Sequence, residues 1–353
     1  MDRLVSVLIP TFNGANTIER TLKSVLGQDV NTEIIIVDDC SKDQTLEKAE
    51  AILGSGNRPY KVIRHDKNEG LSASLNDGLN LSLGDNILVL HQDCELMRAD
   101  WISTAMKYMG EKVAVVTGYY GIMDPSEMNV AKKTFGLLRR QIHARPLEKE
   151  YEIVNFSEGK CDLYNAKMLQ SIGGFPEKYR IAGEDLSVSI QIHQRGYKIL
   201  KHFNLPVIQR YGGRAESFRG NLQKEFEFGK AMGGIIGNHK LAMFRTGVGE
   251  LYGKSRTVHR VTQVIQTIAL VSVLVGYLLS QSVMFAFAAL ILITLRYAYY
   301  AHLVWARLRD IPKLSRHRRL DALWMPSLGI VTDIVYSCGV VYGLLKWTGG
   351  RKI

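Results

Sequence analysis

Two short apolar runs in the first hundred residues end in acidic side chains. Ile34-Ile35-Ile36-Val37 leads into Asp38-Asp39, and Ile87-Leu88-Val89-Leu90 leads into His91-Gln92-Asp93. Continuous runs of aliphatic and β-branched residues read as strands buried on both faces. Carboxylates just beyond the carboxyl ends of such strands fall in the crevice where open α/β sheets bind ligands. Two acid-bearing tips suit a hard metal ion together with a polar, hydroxylated or phosphorylated ligand.

The elements that must position these tips alternate along the first ~95 residues, as a βα repeat demands. Leu4–Ile9 reads as a strand stopped by Pro10. Asn13-Gly14 is a turn, and residues 15–26 form a helix with Ile18, Leu22 and Val25 on one face. The strand 33–37 follows, then a helix from about Gln44 to Leu53, which Ser41 or Asp43 could cap. The strand 60–64, the helix 71–83 and the strand 86–90 complete the pattern, which predicts a parallel sheet covered by helices. No GxGxxG follows the first strand, which argues against a dinucleotide-binding domain. Residues 96–215 are less regular. Helices near 101–109, 130–143 and 186–195 and strands near 113–118 and Val154 are expected there.

Charge and hydropathy divide the chain. Residues 1–200 hold 24 Lys+Arg and 27 Asp+Glu, whereas residues 201–353 hold 21 and 7. The basic half also contains three long apolar segments, 261–280, 282–305 and 323–345. Basic charge beside apolar spans points to an anionic membrane surface rather than to nucleic acid. The first two are each long enough to cross a bilayer, and the third is either a further span or a re-entrant or interfacial segment. Arg296 interrupts the second, and Asp333 in the third is either functional or paired with another helix. Residues 306–322 carry six Lys/Arg against two Asp, so the positive-inside rule places this linker in the cytoplasm. The start, Met1-Asp2-Arg3, runs directly into a strand, so no signal peptide is expected and the N-terminal domain should be cytoplasmic. Residues 216–260 mix bulky apolar and basic side chains, the composition of helices lying in a membrane interface, although helices packed on the N-terminal domain would read similarly. Cys40, Cys94, Cys161 and Cys338 are widely spaced, with neither a disulfide framework nor a zinc pattern.

Five blocks, in order, carry a resemblance. They are Val5-Ser6-Val7-Leu8-Ile9-Pro10-Thr11-Phe12-Asn13; Ile36-Val37-Asp38-Asp39 through Thr45; Asn68-Glu69-Gly70 with Asn76-Asp77-Gly78; the strand ending His91-Gln92-Asp93; and Gly173-Gly174-Phe175 followed by Gly183-Glu184-Asp185. Together they resemble the inverting glycosyltransferases of family 2, including polyprenyl-phosphate sugar synthases and lipid-linked saccharide transferases. The resemblance implies an α/β GT-A (Rossmann-like) catalytic domain, assigned to 1–215; composition assigns interfacial amphipathic helices to 216–260 and a membrane domain of two or three spans to 261–353. It implies a UDP- or GDP-linked sugar donor and Mg²⁺ or Mn²⁺.

Residue by residue, the same resemblance puts Pro10, Thr11, Asn13, Asp38, Asp39, Asn68, Gly70, His91, Gln92 and Asp93 around the donor. Asp39 would accept hydrogen bonds from base or ribose, and Asp38 would orient the loop. As a plain structural pair, the two acids would instead be satisfied by local amides. Asp93 is the expected metal ligand, with Glu95 and His91 as further candidates. His91 stands where the family's DxD motif has its first Asp, and Leu75 stands where many relatives have Arg. Asp185, or Glu184, would be the general base that takes the acceptor's proton; as structural residues they would favour a helix N-terminus. Arg139, Arg140, Arg180, Arg210 and Arg214 are candidates for an acceptor phosphate, because guanidinium forks suit phosphate oxygens. The Gln-x-x-Arg-Trp motif of processive synthases is absent. The expected protein therefore moves one sugar to a polyprenyl-linked acceptor, a lipid phosphate or a lipid-linked saccharide, at the cytoplasmic face of the cell membrane. The alternative is an inactive transferase-like subunit of a membrane assembly or transporter.

Overall fold

Strands β1 (Val5–Thr11), β2 (Thr32–Asp38) and β4 (Asn86–Leu90) are buried along their whole length, while β3 (Tyr60–Arg64) is a half-exposed edge. The computed structural model describes residues 4–120, 129–138, 149–179, 182–210, 217–239, 254–310 and 318–349. Helices α1 (Ile18–Leu26), α2 (Thr45–Gly54) and α3 (Leu71–Leu81) connect these four strands, which pair in parallel in the order β3-β2-β1-β4. Alternate residues of each strand face opposite layers. Val7, Ile9, Ile34 and Ile36 pack on Leu22, Val25 and Leu53 from α1 and α2. Leu8, Ile35 and Val37 pack on Leu75 and Leu79 from α3. At Gly78 a Cβ would lie 1.9 Å from the Leu8 side chain, so α3 can approach β1 this closely only with glycine there.

The sheet does not remain parallel. Beyond β4 the order continues through β8 (Cys161–Asn165), β6 (Val113–Tyr120), β9 (Lys198–Gln209) and β5 (Cys94–Leu96), with β7 (Tyr151–Val154) also on β9. The pairs β4–β8, β8–β6, β9–β5 and β9–β7 are antiparallel. The parallel sheet expected of the first ~95 residues is present as β3-β2-β1-β4; the βα repeat ends at β4, and beyond it the parallel pair β6–β9 stands among antiparallel ones. Helices α4 (Trp101–Lys107), α6 (Ala166–Ser171) and α7 (Glu184–Gln194) cover this second half. Helix α5 (Val130–Leu138) reaches out of the domain, and its Leu137 and Leu138 join a cluster with Tyr300, Leu303 and Val304.

Three C-terminal helices are long and apolar enough to cross a membrane: α9 (Lys254–Ser280), α10 (Val283–Asp310) and α11 (Arg318–Thr348). Gln281, with φ +50°, turns α9 into α10, at the break read from the sequence. Leu278, Leu279, Met284 and Phe287 lie mostly uncovered, as expected of a surface facing lipid tails. Helix α8 (Phe218–His239) packs along α11 on glycines. A Cβ at Gly229 would fall 2.0 Å from the Tyr336 carbonyl oxygen, and one at Gly343 would fall 2.1 Å from the Lys230 carbonyl oxygen. Small residues on both helices permit this backbone-to-backbone contact.

Arg296 and Asp333 are both buried, and they meet between α10 and α11. Arg296 Nε donates to Asp333 Oδ2 at 2.5 Å, and Tyr300 Oη donates to Asp333 Oδ1 at 2.5 Å. The two charges that interrupt the apolar segments thus neutralise each other. Removing one partner strands the other in an apolar setting, at a cost of about 3–5 kcal/mol. Arg296→Met is therefore expected to lower the melting temperature in detergent markedly, and Arg296→Met combined with Asp333→Leu is expected to recover most of the loss.

Candidate active site

The first acidic tip is a braced loop. Asp38 accepts hydrogen bonds from Thr11 Oγ1 at 3.1 Å and from Ser41 N at 3.1 Å. Asn13, at φ +51°, receives Lys42 N on its side-chain oxygen at 2.8 Å, and its own amide donates to Ser41 Oγ at 2.9 Å. These contacts tie the loop after β1 to the loop after β2, so Asp38 and Asn13 shape the cleft. Asp39 is held from the other side. Its Oδ1 accepts from Glu69 N at 2.7 Å and lies 2.9 Å from His65 Nδ1, and its Oδ2 accepts from Gly70 N at 3.0 Å. Asn68 Nδ2 reaches the Asp39 carbonyl at 3.4 Å. Gly70, at φ +101°, takes a backbone conformation open to glycine and begins α3. Pro10 and Thr11 end β1 in register with Val37 and Asp38.

The second tip is clamped to the first. Gln92 accepts from Phe12 N at 3.0 Å and donates to the Phe12 carbonyl at 2.9 Å. Asp93 Oδ2 accepts from Gln209 Nε2 at 3.0 Å, and Gln209 Oε1 in turn accepts from Lys160 Nζ at 3.1 Å. Glu95 Oε2 pairs with Arg210 Nε at 3.2 Å. These links follow from the β5–β9 register, in which Cys94 faces Gln209. The His91 amide donates to the Lys160 carbonyl at 2.8 Å, while its Nε2 is buried and meets no protein partner. Burial pushes the imidazole pKa down to about 4; Asp93 opposes the shift, and Lys160 and Lys224 reinforce it. His91 is therefore a neutral imidazole near pH 7.

The third acidic group lies at the N-terminus of α7. Gly183, at φ +103°, precedes it, and a Cβ there would meet Ala231 and Ile235 of α8 at 3.0 and 3.2 Å. Glu184 is buried, its Oε2 has no protein partner, and burial raises its pKa to about 7. Asp185 is half-buried, and burial together with the neighbouring Glu184 holds its pKa well above the usual carboxylate range. Asp162 on β8 is fully buried, and burial raises its pKa to about 6. Its Oδ2 accepts from Gly159 N at 2.7 Å and from Tyr164 Oη at 3.2 Å. One loop, Gly159-Lys160, thus touches His91 by its carbonyl, Asp93 through Gln209, Asp162 by its amide and Asp185 by contact.

The structure therefore brings Asp38, Asp39, Asn68, Gly70, Gln92, Asp93 and Glu95 to the carboxyl edge of the sheet, and links Asp93 to the Glu184-Asp185 end through residues 159–160. Arg210 lies at this edge against Glu95. Arg139, Arg140, Arg180 and Arg214 lie outside the described residues. Sequence reading did not single out His65, Lys160, Asp162 or Gln209, because their partners are brought in by strand pairing. Only the apolar flank of Asp162, in Cys161-Asp162-Leu163-Tyr164, hinted at a buried acid.

The family model described as Glycosyl transferase family 2 matches residues 6–173, from β1 through α6. These residues match that family, and the chain continues into three C-terminal helices long and apolar enough to cross a membrane. Among particular relatives, the dolichol-phosphate mannosyltransferase of Pyrococcus furiosus is 39% identical over 93 residues, covering 26% of each chain. The GalNAc(5)-diNAcBac-PP-undecaprenol beta-1,3-glucosyltransferase of Campylobacter jejuni is 29% identical over 150 residues, 42% of this chain and 45% of the relative. The chain thus spans less than half the length of these curated relatives. The mannosyltransferase PcManGT of Pyrobaculum calidifontis, solved with GDP-Man and Mn2+, superposes with a TM-score of 0.59 at 15% identity, over 97% of this chain and 87% of that one. It shares the fold.

Gly159 gives a direct test of the shared loop. Its φ of +68° disfavours any side chain, and a Cβ there would lie 2.9 Å from the Asp185 Cβ. Gly159→Ala is expected to cost about 1–3 kcal/mol of stability, read in thermal melts, and to reduce turnover even at temperatures where the variant is fully folded.

Proposed function

We propose that the chain is an inverting glycosyltransferase that moves one sugar from a nucleoside-diphosphate donor to a hydroxyl of a polyprenyl-linked saccharide at the membrane surface. The observation that carries this reading is the Glu184-Asp185 pair at the start of α7, with Glu184 buried and Asp185 half-buried. Both carboxyls are held above the usual range by burial, beside a helix that packs on a membrane-spanning candidate. A hydroxyl acceptor must lose a proton as it attacks, and a carboxylate with a raised pKa is suited to take it. A lipid phosphate is already ionised and needs no such base. The names of the two curated relatives, one a dolichol-phosphate transferase and one acting on a diphospho-undecaprenol saccharide, support a lipid-linked acceptor of either kind.

In this reading the acceptor oxygen attacks the anomeric carbon from the face opposite the leaving group, and its proton passes to Asp185. The bond from that carbon to the diphosphate oxygen breaks, and the nucleoside diphosphate departs. Asp39 receives the base. Lys160 and Arg210 stand at the phosphate edge, where guanidinium and ammonium groups offset developing negative charge. The residues at the second tip fit a divalent cation held jointly with the donor. Asp93 supplies a carboxylate, and the orphaned His91 Nε2 supplies a neutral nitrogen donor. Among the described residues no group of three His, Cys, Asp or Glu is close enough to form a complete cage. Mg²⁺ and Mn²⁺ characteristically complete their shell with substrate phosphates. When bound, such an ion offsets charge on the leaving diphosphate.

Nucleoside-diphosphate release by detergent-purified protein, with a lipid-linked saccharide, a polyprenyl phosphate or no lipid, tests this directly. Release is expected to require the lipid-linked saccharide and to vanish in Asp93→Ala. Release driven by the polyprenyl phosphate would reassign the acceptor, and unchanged biological activity of Asp93→Ala would favour the non-enzymatic alternative. Because the base must be deprotonated, kcat/KM is expected to climb as pH rises through the raised titration range of the Glu184-Asp185 pair, above that of an ordinary carboxylate. Asp185→Asn is expected to lower kcat by about 10²–10⁴-fold and to abolish that pH dependence.

A further inference from the structure

The protein itself uses most of the hydrogen-bond capacity of Asp39. Its amide donates to the Thr11 carbonyl at 2.8 Å, which fixes the residue to β1. A carboxylate has about four acceptor positions, two on each oxygen. Oδ1 is filled by Glu69 N at 2.7 Å and His65 Nδ1 at 2.9 Å, and Oδ2 holds Gly70 N at 3.0 Å. One position on Oδ2 remains, and 7% of the side chain is still reachable, enough for a single contact.

His65 is what closes Oδ1 to a ligand. Its Nε2 lies 3.0 Å from Asp77 Oδ2 on α3, so both ring nitrogens face carboxylate oxygens. Both can donate only in the imidazolium form. Burial works against that charge, and the hydrogen bonds to Asp39 and Asp77 outweigh it, so the pKa of His65 is raised. The ring is thus held at both ends, by a loop on one side and a helix on the other.

We infer that His65 is a positioning residue that leaves Asp39 one free acceptor, so that the site selects a donor whose base offers a lone ring N–H, a uridine-diphosphate sugar, over a guanosine-diphosphate sugar. This rests on the donor-site reading above. Guanine presents a ring N–H beside an exocyclic amine, two parallel donors that fit a carboxylate through both oxygens. With Oδ1 occupied, one of those donors would be desolvated without a partner, which is the costly arrangement. Uracil presents one N–H between two carbonyls. That imide is also a more acidic donor than the exocyclic amine of cytosine or adenine, so it makes the stronger bond to a carboxylate.

The test is equilibrium binding of UDP, GDP and CDP, with Mn²⁺, to the detergent-purified full chain and to His65→Ala and Asp77→Asn. The Asp77 side chain is about half exposed, so Asp77→Asn keeps the experiment interpretable if His65→Ala unfolds. UDP is expected to bind wild type about tenfold or more tightly than GDP, a gap of ~1.4 kcal/mol. Both variants are expected to narrow the ratio to about threefold or less, because an unheld Oδ1 becomes available to a second donor. A merely structural role for His65 would weaken all three nucleotides alike and leave the ratio intact, which overturns the proposal. GDP or CDP binding wild type as tightly as UDP also overturns it, while leaving the donor-site reading in place. If wild type melts cooperatively and binds none of the three, the donor-site reading itself fails and the inference falls with it.

Discussion

Burying carboxylates is the constraint on which the rest of this site depends. Asp38, Asp39, Asp162 and Glu184 are each almost wholly removed from water at or near one edge of the sheet. An ionised carboxylate in that position must find donors or keep its proton. The two ends of the cleft take opposite courses. Asp38 and Asp39 are surrounded by backbone amides, hydroxyls and an imidazole, so their oxygens are held by hydrogen bonds where they stand. Asp162, Glu184 and Asp185 are under-supplied with donors, and burial raises all three pKa values. The first arrangement is suited to recognition, which needs fixed acceptors. The second is suited to accepting a proton, which needs a carboxylate that does not hold its charge too firmly.

The second end is also where the domain meets the helices. Gly183 lets α7 start against Ala231 and Ile235 of α8. Ser187 Oγ lies 2.9 Å from His239 Nε2, and Asn238 joins Tyr179 Oη to the Trp347 indole through its amide at 2.9 and 3.0 Å. Helix α8 in turn rests on α11 through backbone contact that tolerates no side chain. A chain of contacts therefore fixes the Glu184-Asp185 pair relative to α11, one of the membrane-spanning candidates. In the proposed function such fixing would do the work of orientation, because a lipid-borne hydroxyl and the base would approach from a shared reference surface.

The N-terminal half of the fold was readable in the sequence because each strand there is a continuous apolar run and each helix repeats its apolar face. The strands 60–64 and 86–90 were read with the bounds that the structure shows. The second half was not readable in the same way. β5 has three residues, β8 alternates apolar and polar side chains over five, and β9 contains Pro206. Their pairing is long-range and mixes antiparallel ladders with the parallel β6–β9 ladder, so no local period announces it. The acids at the strand tips were visible for the same reason as the strands. Their supports were not: Gln209 reaches Asp93 across 116 residues, and His65 reaches Asp39 across 26. Such partners are chosen by strand order, and strand order is the part of the fold that local pattern leaves open.

The same strand order gives physical sense to histidine at position 91. Asp93 and Glu95 bring negative charge to the second tip, and β9 with the 159–160 loop sets Arg210 and Lys160 against it. Lys224 adds a further cation to the field at the neutral imidazole of His91, so the carboxylates of the tip are offset by side chains of the protein itself. In the proposed function a diphosphate and a divalent ion would bring charges that offset each other, so a neutral residue at position 91 is compatible with that chemistry.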